Sequence, residues 1–298
     1  MTMNAINQLR EIDSPAMPPL GLSDRHLQRA KGLCRIVVGS SAEGNEIVDV
    51  FQRSPLRVIF PRIGGAGVKE AVLINTAGGI AGGDRLECEV MAVANASIAI
   101  TSQTAERVYR ALDEPARILT KLKVSDGARL AWFPQETIIF NWARLQRQTE
   151  VEISTGAELL ALEWLVFGRT AHGEEILGGE LSDRWHVRKD GRLIWADTFH
   201  VREEVFSHLK RKALLGNCKA IATLIYFGPE LARRLELLRD ISGSLDCLCA
   251  ATSISGLIIV RLAADTSSNL KLALRALLNQ IGPEFGPGPF RVPKMWTC

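Results

Sequence analysis

The sequence predicts a mainly β protein, in which stacked, solenoid-like strands form a single large domain and two or three helices follow in the C-terminal third. Short segments that alternate apolar and polar side chains run from residue 33 to residue 201, as is typical of strands with one buried face. Between residues 90 and 166 the chain also repeats with a period of about 30 residues, which indicates stacked β-units. Helical periodicity begins only beyond these segments.

The two ends of the chain differ from this pattern. Residues 1–28 lack periodicity and contain three prolines, so we predict a mobile N-terminal tail before a β-rich domain over residues 29–282. Residues 283–298 contain four prolines, which predicts an extended C-terminal tail. Its apolar side chains, among them Phe290 and Trp296, favour a tail that is docked rather than free.

The first strands are short and are separated by turn residues. Residues 33–38 and 46–51 are strand candidates on either side of a turn of Gly, Ser and Asn. Residues 54–61 form a third candidate, and the prolines Pro55 and Pro61 suit a strand at the edge of a sheet.

Two glycine pairs, Gly78-Gly79 and Gly82-Gly83, follow the next apolar segment, and Asp84 comes directly after the second pair. Glycine pairs mark positions where the backbone takes a positive φ or approaches another group closely. A phosphate-binding P-loop would need Lys and Ser or Thr after its last glycine, and a dinucleotide fingerprint would need a helix there, whereas the residues that follow alternate like a strand. The segment is therefore predicted to be a tight β-connection that positions the carboxylate of Asp84.

The internal repeat is clearest when the chain is aligned on Ala96, Ala128 and Ala157, which are separated by 32 and 29 residues. Each copy consists of a strand, a small polar turn and a more apolar strand, so that each unit would bury its apolar face against the next. The shared core is only a handful of positions, and chance similarity among short β-turns is the alternative.

The third copy continues into residues 158–167, which are apolar on both strand faces apart from Glu158 and Glu163. Such a strand is expected to be buried on both sides. After a polar loop, residues 181–188 and 192–201 are predicted to form two strands joined by a hairpin-like turn.

Helices are predicted late in the chain. Residues 207–215 are compatible with a short helix, and residues 229–240 begin with proline and repeat leucines on one face. Residues 270–281 show the clearest amphipathic pattern, which Gly282-Pro283 should end. Between the last two helices we predict strands over residues 245–251 and 257–263.

Three carboxylates are predicted to lie inside the β-core or at its mouth, namely Asp84, Glu163 and Asp197. An ionised Glu163 in so apolar a strand would cost several kcal/mol unless it is paired or protonated. Asp197 shares the parity of the inward-facing apolar residues of its strand. Because buried carboxylates are rare, all three are functional candidates. The alternative is that arginines hold them in structural ion pairs, such as Arg85, Arg107 and Arg169.

The composition excludes several classes of function. The 36 basic residues are matched by 33 acidic ones, which argues against a nucleic-acid partner. No apolar segment is long enough to cross a bilayer, no secretory signal is visible, and the six cysteines are typical of reduced thiols, so we expect a cytoplasmic protein. The sequence contains neither an esterase elbow nor a zinc-protease motif, and no catalytic set can be assembled.

Several motifs resemble the UreD (UreH) family of urease accessory proteins. The glycine pairs with Asp84 and the segment Trp132-Phe133-Pro134-Gln135-Glu136-Thr137 are specific to that family. Further matching segments lie, in order, at residues 54–61, 104–110, 159–174, 183–185 and 195–198. Together the motifs span most of residues 50–200, whereas the first thirty residues and residues 207–212 match poorly.

The resemblance implies a non-enzymatic scaffold or chaperone that holds no cofactor stably. Proteins of this family act with UreF- and UreG-type partners on urease apoprotein; GTP hydrolysis belongs to UreG, and nickel is inserted into the urease active site. The family fold is mostly β with stacked strands, which agrees with the repeat. The late helices and the C-terminal tail from Phe290 to Trp296 are the surfaces where we expect UreF to dock, and the alternative is that they pack on the core of this chain.

Family members are also thought to offer a passage for Ni²⁺, and the resemblance makes Asp84, Glu163 and Asp197 candidates to line it. Oxygen ligands hold Ni²⁺ weakly, which suits an ion in transit. A function of a different class stays open, namely a carboxylate-dependent hydrolase on the same solenoid fold, with two buried carboxylates as acid and base.

Overall fold

The computed structural model describes residues 28–42, 44–61, 69–169, 173–202, 206, 208–285 and 288–296. The strands are β1 (Lys31–Ser41), β2 (Gly44–Arg53), β3 (Leu56–Ile59), β4 (Lys69–Asn75), β5 (Arg85–Ala92), β6 (Ser97–Ser102), β7 (Glu106–Val108), β8 (Ala116–Val124), β9 (Arg129–Phe133), β10 (Thr137–Ile139), β11 (Arg144–Ile153), β12 (Glu158–Phe167), β13 (Glu180–Lys189), β14 (Arg192–Arg202), β15 (Ala220–Phe227), β16 (Leu248–Ile254) and β17 (Leu257–Ala264). The helices are α1 (Leu231–Ser242), α2 (Ser267–Glu284) and a short 3₁₀ helix at Lys294–Trp296. The predicted mainly β class with helices in the C-terminal third is confirmed, while the predicted mobile tail falls, but for residue 28, outside the described residues.

Two large sheets are stacked face to face. The seven-stranded sheet has the order β14-β13-β11-β8-β5-β1-β2, and the ten-stranded sheet has the order β16-β17-β15-β12-β9-β6-β4-β3, with β10 and β7 added beside β12. From β4 to β13 the chain passes back and forth between the sheets, and its neighbours within each sheet are parallel. This winding is a solenoid, because each pass stacks on the previous one.

The repeat seen in the sequence corresponds to the coils of this solenoid. One coil contains β5 and β6, the next β8 and β9, and the third β11 and β12, and the equivalent residues Ala96, Ala128 and Ala157 are all buried. The polar turns stack as well, since Gly127 N–H donates to the carbonyl of Gly156 at 3.1 Å and Gly156 N–H donates to Asp126 Oδ1 at 3.0 Å. The prediction of stacked β-units is therefore confirmed.

Antiparallel strands close the solenoid at both ends. At one end β1 and β2 form the predicted hairpin, and β3 lies at a sheet edge, as its flanking prolines indicate. At the other end β14 pairs with β13, and β15, β17 and β16 extend the ten-stranded sheet.

Two apolar clusters explain why the ten-stranded sheet is buried on both faces. One fills the space between the two sheets, and the other lies between the outer face of the ten-stranded sheet and the helices α1 and α2. All ten residues of β12 are buried as a result, as the sequence predicts. No helix in the described ranges has the length and apolar character needed to span a membrane.

The C-terminal segment packs against this second cluster. Phe290 and Trp296 are buried, and Trp296 Nε1 donates a hydrogen bond to the carbonyl of Phe133 at 3.2 Å. The side chain of Gln135 donates to the carbonyl of Met295 at 2.9 Å. Residues 288–296 are thus held at β9 and the loop that follows it.

Three local predictions are wrong. Residues 208–215 form turns instead of a helix, with hydrogen bonds such as the one from Arg211 N–H to the carbonyl of His208. The three adjacent cations at residues 210–212 repel one another and form no ion pair within this segment that would stabilise a helical turn. Residue 207 lies outside the described residues. Helix α2 continues past Gly282-Pro283 to Glu284, since the proline removes one bond of the last turn while Phe285 N–H still donates to the carbonyl of Ile281. Strand β16 begins at Leu248, three residues later than predicted.

Candidate functional site

A buried ion network joins the two sheets at the centre of the solenoid. Glu163 lies in the middle of β12 in the ten-stranded sheet, and Arg147 in β11 and Asp183 in β13 are paired neighbours in the seven-stranded sheet. On β11 the buried residues alternate with half-buried ones, and Arg147 occupies one of the inward positions between Leu145 and Thr149. The guanidinium therefore points across the core at β12.

Arg147 holds both carboxylates through short hydrogen bonds. Its Nε donates to Asp183 Oδ1 at 2.8 Å and its Nη2 to Asp183 Oδ2 at 2.7 Å, which is the bidentate arrangement. Its Nη1 donates to Glu163 Oε2 at 2.7 Å and to Thr137 Oγ1 at 3.1 Å. Four of the five N–H groups of the guanidinium thus donate to groups of the chain itself.

The second oxygen of Glu163 is also bound. Trp132 Nε1 donates to Glu163 Oε1 at 2.9 Å, and Thr149 Oγ1 lies 3.5 Å from the same oxygen. Burial raises the pKa of Glu163, the attraction of Arg147 lowers it, and the repulsion of Asp183 raises it again, with a net rise. For Arg147 burial acts to lower the pKa, but Asp183 and Glu163 outweigh it and the pKa is raised, so the guanidinium stays charged.

Asp84 has a different environment. Its Oδ1 accepts a hydrogen bond from the backbone N–H of Ala30 at 2.8 Å, and its Oδ2 accepts one from the backbone N–H of Ala81 at 2.8 Å. The carboxylate is buried and ties the start of β1 to the loop that joins β4 and β5. Both oxygens of Asp84 are therefore bound by backbone groups and not by an arginine.

The glycine pairs allow this loop to lie close to its neighbours. Gly79 has a φ of 154°, and the ring of Tyr109 packs where a Cβ would be. At Gly82 a Cβ would come within 2.7 Å of both Ala111 Cβ and the carbonyl oxygen of Glu114. The loop connects strands of different sheets, so the glycines let the chain turn the corner of the solenoid.

Asp197 lies on the inner face of β14, an edge strand of the seven-stranded sheet. Its carboxylate is half-buried and pairs with the exposed Arg261 across the gap between β14 and β17 at 2.7 Å. A β-bulge places Trp195 opposite Val187 and Leu193 opposite Arg188, so the alternation is broken and Leu193 is exposed. From Trp195 to Val201 the alternation is intact, so Asp197 lies on the same face of β14 as Trp195 and Phe199, as its parity predicts, but it is only half-buried.

The three predicted carboxylates are thus held separately: Asp84, Glu163 and Asp197 share no hydrogen-bond or ion-pair partner. Within the described ranges, no three His, Cys, Asp or Glu side chains are grouped so that they could hold a metal ion. The arginines that bind two of the carboxylates are Arg147 and Arg261, whereas Arg169 pairs with Glu174.

Sequence reasoning did not identify Arg147 and Asp183 as site residues. The same parity argument that singles out Asp197 applies to Asp183, which alternates with the apolar Leu181 and Trp185 on an unbroken part of β13. Arg147 alternates in the same way with Leu145 and Val151 on β11. Both residues could therefore have been found.

Another buried carboxylate, Glu158, stabilises the C-terminal end of the chain. Its Oε2 accepts from Arg129 Nε at 2.6 Å and its Oε1 from the Tyr226 hydroxyl at 3.0 Å. The guanidinium of Arg129 also donates to the carbonyl of Phe285 at 2.8 Å and lies over the ring of Phe290. This network links β9 and β12 to the segment that follows α2.

Fold and site together define a mainly β, solenoid-like protein whose interior charges are paired with one another. The profile of the family described as UreD urease accessory protein matches residues 30–297. The urease accessory protein UreD of Methylobacterium sp. (strain 4-46) is 36% identical over 275 residues, which cover 90% of this chain and 95% of the relative. The urease accessory protein UreD 1 of Brucella ovis is 38% identical over 277 residues, covering 93% and 97%, and that of Brucella anthropi is 37% identical over 285 residues with the same coverage. The chain belongs to the UreD family of urease accessory proteins.

Proposed function

We propose that this chain is a urease maturation factor of the cytoplasm, a non-enzymatic scaffold that acts with UreF- and UreG-type partners on urease apoprotein. In this proposal GTP hydrolysis by the UreG-type partner drives the insertion of nickel into the urease active site, and this chain holds the complex together. The observation that carries the proposal is the family match across residues 30–297, together with relatives that bear the name urease accessory protein.

The geometry of the buried network supports a scaffold better than the hydrolase alternative. A general acid or base must reach a substrate proton. Glu163 and Asp183 are instead both bound to Arg147 between the two sheets, where their oxygens accept hydrogen bonds from the chain itself. Such a network fixes the sheets relative to each other, which is useful in a protein that presents surfaces to partners.

We further propose that nickel passes through this chain on its way to urease and that Asp84, Glu163 and Asp197 are candidate residues along its path. Glu163 has the best support, because it lies between the sheets, where burial and the repulsion of Asp183 raise its pKa against the attraction of Arg147. Asp84 and Asp197 rest on the resemblance alone, since backbone groups hold the first and an exposed arginine holds the second.

Deletion of this chain from the producing organism tests the scaffold proposal. We expect urease to accumulate as a nickel-free, inactive apoprotein, and a tagged copy of the chain to restore activity and to co-purify with UreF- and UreG-type proteins. Urease activity and the nickel content of purified urease are the measurements. If urease acquires nickel and full activity without this chain, the proposal is wrong.

The passage is tested with Glu163→Gln, Asp84→Asn and Asp197→Asn in the same strain. Each variant removes a charge but keeps the shape of the side chain, so the complex should still assemble while the nickel content of urease falls. Glu158→Gln is the matched control, because Glu158 is a buried carboxylate of the same strand that is bound to a different arginine. Normal nickel loading in the triple variant would exclude a role for these carboxylates and leave the scaffold proposal intact.

A further inference from the structure

The outer face of the seven-stranded sheet carries a groove that the proposed function does not use. The groove has a volume of about 560 Å³ and lies across β1, β5, β8, β11 and β13. Six cations line it, and two carboxylates accompany them. The cations are Lys31, Arg53, Arg85, Arg117, Arg184 and Arg147, of which Arg147 is bound to Glu163 and Asp183 in the core, and the carboxylates are Glu87 and Glu150.

Three of the cations stand side by side in one row. Lys31 is paired in register with Arg85, and Arg85 with Arg117, so adjacent strands present like charges to each other. Like charges directly opposite each other on a sheet are destabilising. The row continues with Gln146 and Ser182 on the next two strands, and these residues add donors without adding negative charge.

The chain itself leaves this positive charge largely unneutralised. Within the described residues Lys31 and Arg85 form no ion pair, and Arg117 has one long contact of 3.8 Å with the exposed Glu114. The carboxylates of the groove are engaged elsewhere, because Glu87 binds Lys121 at 2.6 Å and Glu150 accepts a hydrogen bond from Gln148.

A buried hydroxyl provides independent evidence for a ligand. Ser182 is only 3% exposed, its Oγ has no hydrogen-bond partner among the described residues, and the residue lines the groove. Buried hydroxyls are normally hydrogen-bonded, because leaving one unpaired is unfavourable. An acceptor group of a ligand in the groove would satisfy Ser182 and the cations together.

We propose that this groove binds an acidic segment of a partner protein in an extended conformation. The row from Lys31 to Ser182 crosses five strands and is therefore roughly 19 Å long, which matches about six residues of extended peptide. Carboxylates spaced along such a peptide face the row of cations. No aromatic side chain among the described residues lines the groove, so these residues offer no ring on which a nucleobase could stack.

The test measures binding of fluorescein-labelled hexaglutamate to the purified full-length chain by fluorescence anisotropy. We expect saturable binding that weakens as salt is added, and no binding of hexaserine. Arg117→Glu and Arg85→Gln should each raise the Kd about tenfold, because each removes a charge-assisted hydrogen bond. Lys123→Glu is the matched control: it lies on the same strand as Arg117 but outside the groove, and should change the Kd less than about twofold.

Ser182→Ala separates ligand binding from folding. Because the hydroxyl has no partner in the part of the chain that the structure describes, its removal should leave the Tm of the protein unchanged or higher, while the Kd for hexaglutamate rises about threefold. Circular dichroism confirms that each variant is folded. The proposal is overturned if Lys123→Glu weakens binding as much as Arg117→Glu, if hexaglutamate does not bind, or if oligothymidylate or inorganic phosphate displaces it at lower concentration than unlabelled hexaglutamate.

Discussion

Arg147 faces two carboxylates with one positive charge. It binds Asp183 through two parallel hydrogen bonds and Glu163 through one, so Asp183 has the better geometry for the full ion pair. Burial, followed by the repulsion of Asp183, raises the pKa of Glu163 against the attraction of Arg147. The charge of the Arg147 guanidinium therefore strongly affects the ionisation of Glu163 and Asp183.

Replacement of Arg147 should destabilise the protein strongly. Arg147→Met leaves Glu163 and Asp183 buried without a counter-charge, and we expect the free energy of unfolding to fall by about 3–5 kcal/mol. Arg261→Met removes the exposed partner of Asp197 and should cost less than about 1 kcal/mol. Urea denaturation of the two variants measures the difference, and equal losses would show that Arg147 is not the buried anchor described above.

The stability contributed by Glu163 should decrease as pH rises. Its pKa in the folded chain lies above the ordinary value of 4.5, so the folded state binds the proton more tightly than the unfolded state. This advantage is full below pH 4.5 and is lost as pH rises through the folded pKa. The difference in free energy of unfolding between wild type and Glu163→Gln should therefore become less favourable to wild type above pH 4.5.

Urea titrations at several pH values provide the comparison, with Glu236→Gln at an exposed helix position as the control variant. A difference that grows in favour of wild type with rising pH would show that Arg147 outweighs burial and that Glu163 is ionised throughout.

At the level of single residues, the sequence was informative where a polar side chain interrupts an apolar segment. Glu163 is conspicuous for that reason, and it is buried as expected. The partners of Asp84 could not be predicted, because Ala30 is 54 positions away and contributes only its backbone N–H. A hydrogen bond from the backbone of a distant residue does not depend on the type of that residue, so the sequence does not reveal it.

At the scale of single elements, the conformation of the loop between β4 and β5 is fixed by close contacts with the segments around it. Its hydrogen bonds run to several neighbours, including Ile80 N–H to the carbonyl of Arg107 at 2.8 Å and the Tyr109 hydroxyl to the carbonyl of Gly78 at 2.8 Å. A side chain that pushes the loop outward would disturb all of these bonds at once.

Gly82→Ala should therefore cost about 2–3 kcal/mol of stability. The new Cβ would overlap Ala111 Cβ and the carbonyl of Glu114, and the backbone carbonyl cannot rotate away as a side chain could. Gly78→Ala is the control within the same loop: Gly78 has a φ of 73° but open space around it, so only backbone strain of about 1 kcal/mol is expected. Thermal unfolding ranks the two variants, and a larger loss for Gly78→Ala would contradict the steric argument.

Elements with regular alternation were predicted well, because period-two patterning determines which face of a strand is buried. The strands β1, β2, β13 and β14 agree with their predicted positions to within a few residues. The segment at residues 208–215 is predicted to be helical, yet it forms turns, since the adjacent cations at residues 210–212 give it no favourable charge pattern.

For the whole molecule, the repeat of about 30 residues was sufficient to predict stacking. It could not predict that successive strands alternate between two sheets, because a repeat of this length fits several ways of folding one coil. Nor could it show that β15, β16 and β17 extend the ten-stranded sheet, since antiparallel pairing between β12 and β15 joins segments more than fifty residues apart. Those pairings form because β12, which is buried along its whole length, needs a neighbouring strand on its free edge.

The position of β12 in this arrangement predicts where the molecule is most resistant to local opening. It is bonded to β9 and β10 on one edge and to β15 on the other, and both of its faces are buried. Its amides should exchange with deuterium only on global unfolding. Strand β2, at the edge of the other sheet and largely exposed, should exchange by local opening and therefore orders of magnitude faster.

Strand β11 provides the internal comparison, since it has the same length as β12 and a central position but exposes one face, so its exchange should be intermediate. In Arg147→Met the exchange of β11 and β12 should accelerate together, because the lost guanidinium connects these two strands across the core. Hydrogen–deuterium exchange with mass spectrometry resolves the three segments. Acceleration confined to β11 would mean that apolar packing holds the two sheets together and that the ion network contributes nothing to the stability of their contact.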